Sequence, residues 1–88
     1  MKEDTKWENI GFVASSEYRR KVLDSLENPK MPSTLSKELN INKTHISRAL
    51  KELLDREMIE CKNPKTKKGK FYQMTIYGKV VSAEVDKL

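Results

Sequence analysis

Apolar residues at helical spacing over positions 46–54 constrain this 88-residue chain more than any other feature. The residues of this stripe are Ile46, Ala49, Leu50, Leu53 and Leu54, at positions i, i+3, i+4, i+7 and i+8. Such a stripe is typical of an amphipathic helix that packs one face on a core. Asn42 precedes it as a favourable N-cap, so the sequence predicts a helix over 43–57 with the stripe as core.

A shorter helix is predicted immediately before this one, over 34–39. Ser33 offers its N-cap, and two leucines supply its apolar face. Residues 40–42 then form a three-residue turn. A helix, a short turn and a second helix together predict a helix-turn-helix over about 34–57.

Further helices are predicted on both sides of this unit. The N-terminal part predicts helices near 5–14 and over 16–27, the second with Tyr18, Val22, Leu23 and Leu26 at helical spacing. Proline at position 29 ends that helix. Thr75 is the N-cap of a last helix over 76–88.

The period changes from helical to alternating after residue 57. Residues 58–62 and 70–74 have the composition of strands, and Pro64 and Gly69 mark the turn between them. A two-stranded hairpin is marginal alone in water, so we expect it to pack on the helices. The predicted fold is therefore mainly α with a small β-hairpin wing, as one domain over 1–88.

The positive charge is concentrated in two windows of ten residues. Formal net charge is +5, yet residues 42–51 contain three basic and no acidic side chains, and residues 61–70 contain five and none. The rest of the chain is net negative. Focused charge of this kind predicts a polyanionic partner, and the alternative is two solvated basic loops.

Several classes of protein do not fit the composition. One cysteine, Cys61, excludes an internal disulfide framework, and one histidine leaves too few ligands for a structural zinc site. The longest apolar stretch is too short to span a membrane, and the charged residues Lys2, Glu3 and Asp4 speak against a secretory signal. No nucleophile–base pair, glycine-rich phosphate loop or carboxylate pair suggests an enzyme. We therefore expect a cytoplasmic, non-enzymatic protein with no metal and no cofactor.

Four stretches follow one another in a characteristic order: SSEYRRKVL at 15–23, TLSKELNINKTHISRAL at 34–50, LLDREMIE at 53–60 and YQMTIYG at 72–78. They resemble the opening helix, the helix-turn-helix, the passage into the wing and the wing-to-helix junction of the winged helix-turn-helix. The resemblance is to small prokaryotic, archaeal-looking transcription regulators of the MarR/ArsR kind. Ser36 departs from that family, which usually has alanine there. The cysteine and histidine clusters of its metal-sensing members are missing, so metal sensing is not carried over.

In a helix-turn-helix, the N-terminal half of the second helix enters the major groove of DNA. The outward residues of that half are Lys43, Thr44, His45, Ser47, Arg48 and Lys51. Arg48 is expected to contact a guanine, whose two acceptors match its forked guanidinium. The alternatives are an ion pair between Arg48 and Glu52, and a solvated or capping role for His45.

The tip of the wing contains lysines and no arginine. The lysines expected to bind DNA are Lys65, Lys67, Lys68 and Lys70. Because lysine is a hydrated point charge, we expect the wing to hold phosphates and to add affinity more than specificity.

The last helix contains two apolar stripes, although one core contact uses only one. Tyr77, Val81, Val85 and Leu88 form one stripe, and Ile76, Val80 and Ala83 form the other. The surplus predicts a homodimer, with the interface assigned to Trp7, Ile10, Val81, Val85 and Leu88. A symmetric dimer predicts an operator with inverted repeats.

The resulting functional hypothesis is a transcriptional regulator that binds double-stranded DNA. Its recognition helix, 43–57, lies in the major groove, and the lysine-rich part of the wing, 62–70, lies on the phosphate backbone. One alternative is a chromatin or nucleoid architectural protein without sequence preference. Another is a winged-helix protein-interaction module, which predicts an apolar or acidic recognition face.

Overall fold

The computed structural model describes residues 3–88, with side chains from residue 5 onward. Within that range the elements are α1 (Glu3–Ala14), α2 (Glu17–Ser25), α3 (Pro32–Leu39), α4 (Lys43–Asp55), β1 (Ile59–Cys61), β2 (Tyr72–Met74) and α5 (Ile76–Asp86). Every predicted helix and strand is present, with each end within two residues of its predicted position. The side chains of Lys2, Glu3 and Asp4 lie outside the described part of the chain.

Polar side chains that accept a backbone N–H bond cap three of the helices, at Ser16, Asn42 and Thr75. Helix α3 begins differently, and the prediction of Ser33 as its N-cap is wrong. The helix starts at Pro32, with Met31 as an N-cap that makes no side-chain bond. Proline favours this position because its fixed φ suits the first turn, where its missing N–H has no intrahelical partner.

The turn between α3 and α4 is closed by a left-handed residue and by a serine. Asn40 ends α3 with φ 54° and ψ 46°, a conformation that asparagine tolerates. Ser36 Oγ donates a 2.6 Å hydrogen bond to the carbonyl oxygen of Ile41, and the Ile41 N–H donates to the Ser36 carbonyl at 3.1 Å. The serine that departs from the family's alanine therefore helps to fix the turn between the two helices.

The core lies between α2 and the other four helices, and α2 supplies its centre. Val22, Leu23 and Leu26 are fully buried there. From α4 the core receives Ile46, Ala49, Leu50 and Leu53, with Leu54 partly buried beside them. The predicted apolar stripe of α4 is thus confirmed as core.

The wing is an antiparallel hairpin in which Ile59 pairs with Met74 and Cys61 with Tyr72. An additional bridge joins Tyr72 to Lys30, with backbone N–H to O distances of 3.0 and 2.9 Å. Met74 N–H also donates to the Leu26 carbonyl at 2.8 Å. The hairpin therefore leans on the segment between α2 and α3, as its small size requires.

Three of the five residues predicted for a dimer interface lie in the core instead, and this assignment is wrong. Ile10 of α1 and Val81 and Val85 of α5 are each at most 6% exposed, because α1 and α5 pack together with the Ile10 face and the Val81–Val85 stripe turned toward the interior. The other stripe faces solvent, with Ile76 84% and Val80 41% exposed. No described helix is both long and apolar enough to cross a bilayer.

Candidate nucleic-acid interface

Helix α4 presents to solvent five of its own six residues that are predicted to contact DNA. Those exposed are Lys43, Thr44, Ser47, Arg48 and Lys51, whereas His45 is half-buried. Lys43 lines a cleft that α4 shares with the wing, and His45 and Arg48 line another cleft that it shares with α2. The outward face of α4 therefore has a wing side and an α2 side.

On the α2 side, the His45 ring stacks on Tyr18. The ring centroids are 4.6 Å apart and the planes differ by 23°. Arg48 and Ser16 line the same cleft, which encloses about 280 Å³. His45 is thus neither simply solvated nor a capping residue, and no local pattern in the sequence indicates this long-range contact.

Arg48 does not form the predicted alternative ion pair with Glu52. Both carboxylate oxygens of Glu52 are bound by Arg19, at 3.2 Å from Nε and 2.8 Å from Nη2. This bond to Arg19 holds the pKa of the Glu52 carboxyl below its ordinary value, although burial acts the other way. Among the residues that the structure describes, Arg48 makes no ion pair, so its guanidinium is available to a ligand.

A network of polar and aromatic contacts supports the C-terminal half of α4. The guanidinium groups of Arg19 and Arg56 both lie over the Phe12 ring, 3.7 and 3.6 Å from its centroid. Arg56 also donates to Asn9 Oδ1 at 2.8 Å, and Asn9 Nδ2 donates to the Tyr77 hydroxyl at 2.6 Å. This network joins α4 to α1, α2 and α5 and fixes the helix behind its outward face.

Asn63 organises the loop that presents the lysines of the wing. Its Nδ2 donates to the Gly69 carbonyl at 3.1 Å, and its Oδ1 accepts the Phe71 N–H at 2.8 Å. Gly69 has a φ of 68°, which glycine adopts without strain. The loop exposes Lys65, Lys67 and Lys68, while Lys70 is half-buried.

The two basic windows meet at the N-terminus of α3. Lys43 of α4 and Lys67 and Lys70 of the wing line one cleft of about 410 Å³, together with Pro32 and Ser33. The first turn of a helix has free N–H groups and a partial positive charge. Three lysines and these groups can together attract anionic oxygens.

Metal-binding side chains are not brought together in the described part of the chain. No group of three or more histidine, cysteine, aspartate or glutamate side chains there could hold an ion. Cys61 lies half-buried on β1, with its Sγ 3.7 Å from Asn63 Oδ1.

The fold is similar to that of solved MarR-family transcription regulators. One of them matches with a TM-score of 0.74 and 21% identity, over 91% of this chain and 58% of its own length. RV1404 from Mycobacterium tuberculosis matches with a TM-score of 0.72 and 19% identity, over 96% and 61%. A mutant MarR from E. coli, complexed with operator DNA, matches with a TM-score of 0.72 and 23% identity, over 97% and 66%. The chain therefore spans less than two thirds of each of these proteins.

These structures establish the winged helix-turn-helix fold, and a sequence comparison supplies the family. A search of curated proteins gives no match to the chain. A family profile described as HVO_A0261 N-terminal domain matches residues 7–88, nearly the whole sequence. The chain belongs to the HVO_A0261 N-terminal domain family.

Proposed function

We propose that this protein is a transcription regulator that binds double-stranded DNA, with α4 in the major groove and the wing on the phosphate backbone. The observation that carries the proposal is the meeting of the two basic windows in one cleft, where Lys43 faces Lys67 and Lys70. Charges that are distant in sequence but adjacent in space form a continuous surface for a polyanion.

Arg48 is the residue proposed to read a base. It is exposed on the outward face of α4, and its nearest acidic neighbour on that helix, Glu52, is occupied by Arg19. A free guanidinium can donate two hydrogen bonds to the O6 and N7 atoms of guanine. Thr44 and Ser47 can donate to a base or a phosphate.

The lysines are proposed to hold phosphates rather than to read bases. Lys43 and Lys51 flank the reading face of α4, and Lys65, Lys67 and Lys68 project from the wing loop. Ammonium groups attract phosphates without the fixed geometry that base recognition needs. A lysine-only wing should therefore increase affinity for any DNA sequence.

We propose a homodimer through an apolar surface that keeps Trp7 and Leu88 of the predicted interface and replaces its three buried residues with the exposed stripe of α5. Ile76, Val80 and Ala83 form an exposed stripe on α5, and Trp7 on the adjacent α1 is 55% exposed. Leu88, 78% exposed, extends the surface at the end of the chain. Two copies related by a two-fold axis would place their recognition helices about 34–36 Å apart, one turn of DNA.

The dimer is tested by sedimentation equilibrium at tens of micromolar. Wild type should sediment at twice the 10.3 kDa chain mass, and Ile76→Asp/Val80→Asp at the chain mass. Val80 and Ile76 are exposed, so these changes should leave the fold intact. If wild type is a monomer at that concentration, the proposed homodimer is wrong, and an operator with inverted repeats is no longer expected.

An architectural protein is the second candidate function, because the lysine-only wing contains no feature for base reading. A protein-interaction module fits less well, since the outward face of α4 is basic. The proposed activity is binding, and no catalysis is assigned. Sequence preference separates the two DNA-binding functions.

The proposal is tested by fluorescence anisotropy with a labelled mixed-sequence duplex at low salt, followed by selection from a random duplex pool. Wild type should bind, and Lys65→Ala/Lys67→Ala/Lys68→Ala should bind several-fold more weakly. A matched control, Lys6→Ala/Lys79→Ala/Lys87→Ala, removes the same charge from α1 and from α5 and its C-terminal end, and should bind almost normally.

Selection by wild type should yield a preferred sequence that Arg48→Ala no longer prefers. Binding without any preferred sequence would favour the architectural function. If wild type does not bind duplex DNA even at low salt, the DNA-binding proposal is wrong and the interaction module becomes the better hypothesis.

A further inference from the structure

Tyr18 has an unusual environment for an apolar residue of a predicted helix stripe. It shares helical spacing with the buried Val22 and Leu26, yet it is 43% exposed. Its ring lies against His45 of the recognition helix rather than in the core. Core packing therefore does not account for this aromatic residue, which sits at the edge of the candidate interface.

We infer that Tyr18 is a positioning residue that holds the His45 ring for a sequence-specific contact with a base edge. The inference rests on the proposed DNA-binding function. A histidine on an exposed helix face can normally populate several rotamers. Stacking at 4.6 Å restricts the ring to one orientation, so less conformational entropy is lost when DNA binds.

The surroundings of the pair favour a base over a phosphate as its ligand. Arg48 lies one helical turn beyond His45 and lines the same cleft, so the two residues can contact neighbouring positions on one DNA site. The cleft is also lined by Arg19 and Glu52, which neutralise one another. It therefore has less net charge than the lysine cleft on the wing side, and a less charged cleft suits base recognition better than attraction to phosphate.

The geometry makes the two sides of α4 functionally different. On the wing side, Lys43 faces other lysines and supplies general affinity. On the α2 side, His45 and Arg48 supply discrimination, with Tyr18 as the platform behind the histidine. Loss of Tyr18 should therefore reduce the preference for the selected sequence more than it reduces DNA binding in general.

The test compares Kd values for the selected duplex and for a mixed-sequence duplex, measured by anisotropy at one salt concentration. Tyr18→Ala should weaken binding to the selected duplex about tenfold, the typical effect of losing one base contact, with a change of less than about threefold for the mixed duplex. Tyr18→Phe keeps the stacking ring and should behave as wild type. His45→Ala should reproduce Tyr18→Ala, and the double variant should be no worse than either, since the two residues act as one unit.

Three results overturn the inference. Equal weakening on both duplexes would give Tyr18 a phosphate-contacting or purely structural role. Loss of binding in Tyr18→Phe would make the hydroxyl, not the stack, the functional group. Full preference in Tyr18→Ala would leave the stack without a role in recognition.

Failure of the proposed function itself has a different signature, because wild type would then bind no duplex or select no sequence.

Thermal unfolding followed by circular dichroism tests whether each variant is folded. Should Tyr18→Ala not fold, His45→Phe tests the base contact that the inference requires of His45, since it retains the stack and removes the ring nitrogens. It should lose the preference for the selected duplex as His45→Ala does, and retention of that preference would contradict the inference.

Discussion

Helix α4 and the wing loop, residues 63–69, both contribute basic side chains to one surface. The two segments differ in how firmly contacts with the rest of the molecule fix them. Helix α4 is buried along one face, is bound to α2 by the Arg19–Glu52 ion pair, and is held to α1 at its C-terminal end by Arg56, which contacts Phe12 and Asn9. The wing loop is mostly exposed, with Asn63 as its main internal connection. One region is therefore fixed from several sides and the other by a few bonds.

This difference matches the two kinds of contact that DNA offers. A hydrogen bond to a base edge needs a donor within about 3.2 Å and good alignment, so the reading side chain must stand on a rigid element. Attraction to a phosphate acts over a Debye length of about 8 Å and tolerates movement of the lysine. The two regions are thus supported in the ways that base reading and phosphate binding respectively require.

The largest expected effect on stability comes from a substitution at Gly78, which lies where α5 meets the junction between α4 and the wing. A Cβ added at Gly78 would lie 2.0 Å from the Met58 carbonyl oxygen and 3.2 Å from Met74 Cβ. Gly78→Ala should therefore push α5 away from that junction and lower the free energy of unfolding by about 3 kcal/mol. Chemical denaturation followed by circular dichroism measures this change.

Gly11 provides the matched control, because a Cβ there meets nothing within 4 Å. Gly11→Ala should raise the stability by up to about 1 kcal/mol, since alanine favours a helix interior. If the two substitutions change the free energy of unfolding equally, close packing at Gly78 does not hold α5 against the junction between α4 and the wing.

A smaller effect is expected from Arg19, which supports α4 from behind. Arg19→Ala removes two bonds to Glu52, one to the Phe12 carbonyl and a contact with the Phe12 ring, and should lower the stability by about 2 kcal/mol. Arg48→Ala is the control on the same helix surface and should change the stability by less than about 0.5 kcal/mol. If both variants unfold alike, the support of α4 does not depend on this network.

The contribution of Arg19 should also depend on pH. Because the folded state lowers the pKa of Glu52 below its ordinary value of 4.5, the ionised pair stabilises the protein fully above that value. Its contribution is lost as the pH falls through the lower folded-state pKa. The stability difference between wild type and Arg19→Ala should therefore become smaller in acid. Urea denaturation from about pH 7 down to about pH 3 measures this difference. If the difference stays constant, the contribution of Arg19 comes from its contacts with Phe12 and not from the ion pair.

The smallest effect is expected from Asn63, within the wing. Asn63→Ala removes the bonds to Gly69 and Phe71 and should lower the stability by about 1 kcal/mol or less, because the loop is exposed and the strand bonds remain. Hydrogen exchange of the Phe71 amide should accelerate. Asn63→Asp retains the acceptor for that amide and should protect it from exchange better than Asn63→Ala does. If the two variants exchange at the same rate, this side chain does not hold the wing loop.

The parts of the fold that the sequence predicts correctly depend on neighbours within a few residues. The stripe of α4, the caps at Asn42 and Thr75, and the hairpin turn are all local patterns. For the same reason the exposed basic residues of α4 and of the wing can be selected from spacing and charge alone. Nothing in these patterns depends on how the helices pack on one another.

The features that the sequence does not predict depend on packing between distant segments. Arg19 and Glu52 are 33 residues apart, so a search for i,i+4 pairs assigns Glu52 to Arg48 instead. Both stripes of α5 are apolar, and only the packing of α5 on α1, α2 and β2 decides that Val81 is buried while Val80 is exposed. The stack of Tyr18 on His45 has no local signature either.

The most direct test of the division between base reading and phosphate binding is the salt dependence of affinity for the selected duplex. Log Kd would be measured against log salt for wild type, Arg48→Ala and the triple wing variant at Lys65, Lys67 and Lys68. Each phosphate interaction that is removed should make the slope shallower by about 0.9, so the slope of the wing variant should fall by about 2 to 3. Arg48→Ala should bind more weakly at every salt concentration, with a slope within about 1 of wild type. If the wing variant instead keeps the wild-type slope while Arg48→Ala has the shallower one, the assignment of the two regions is wrong.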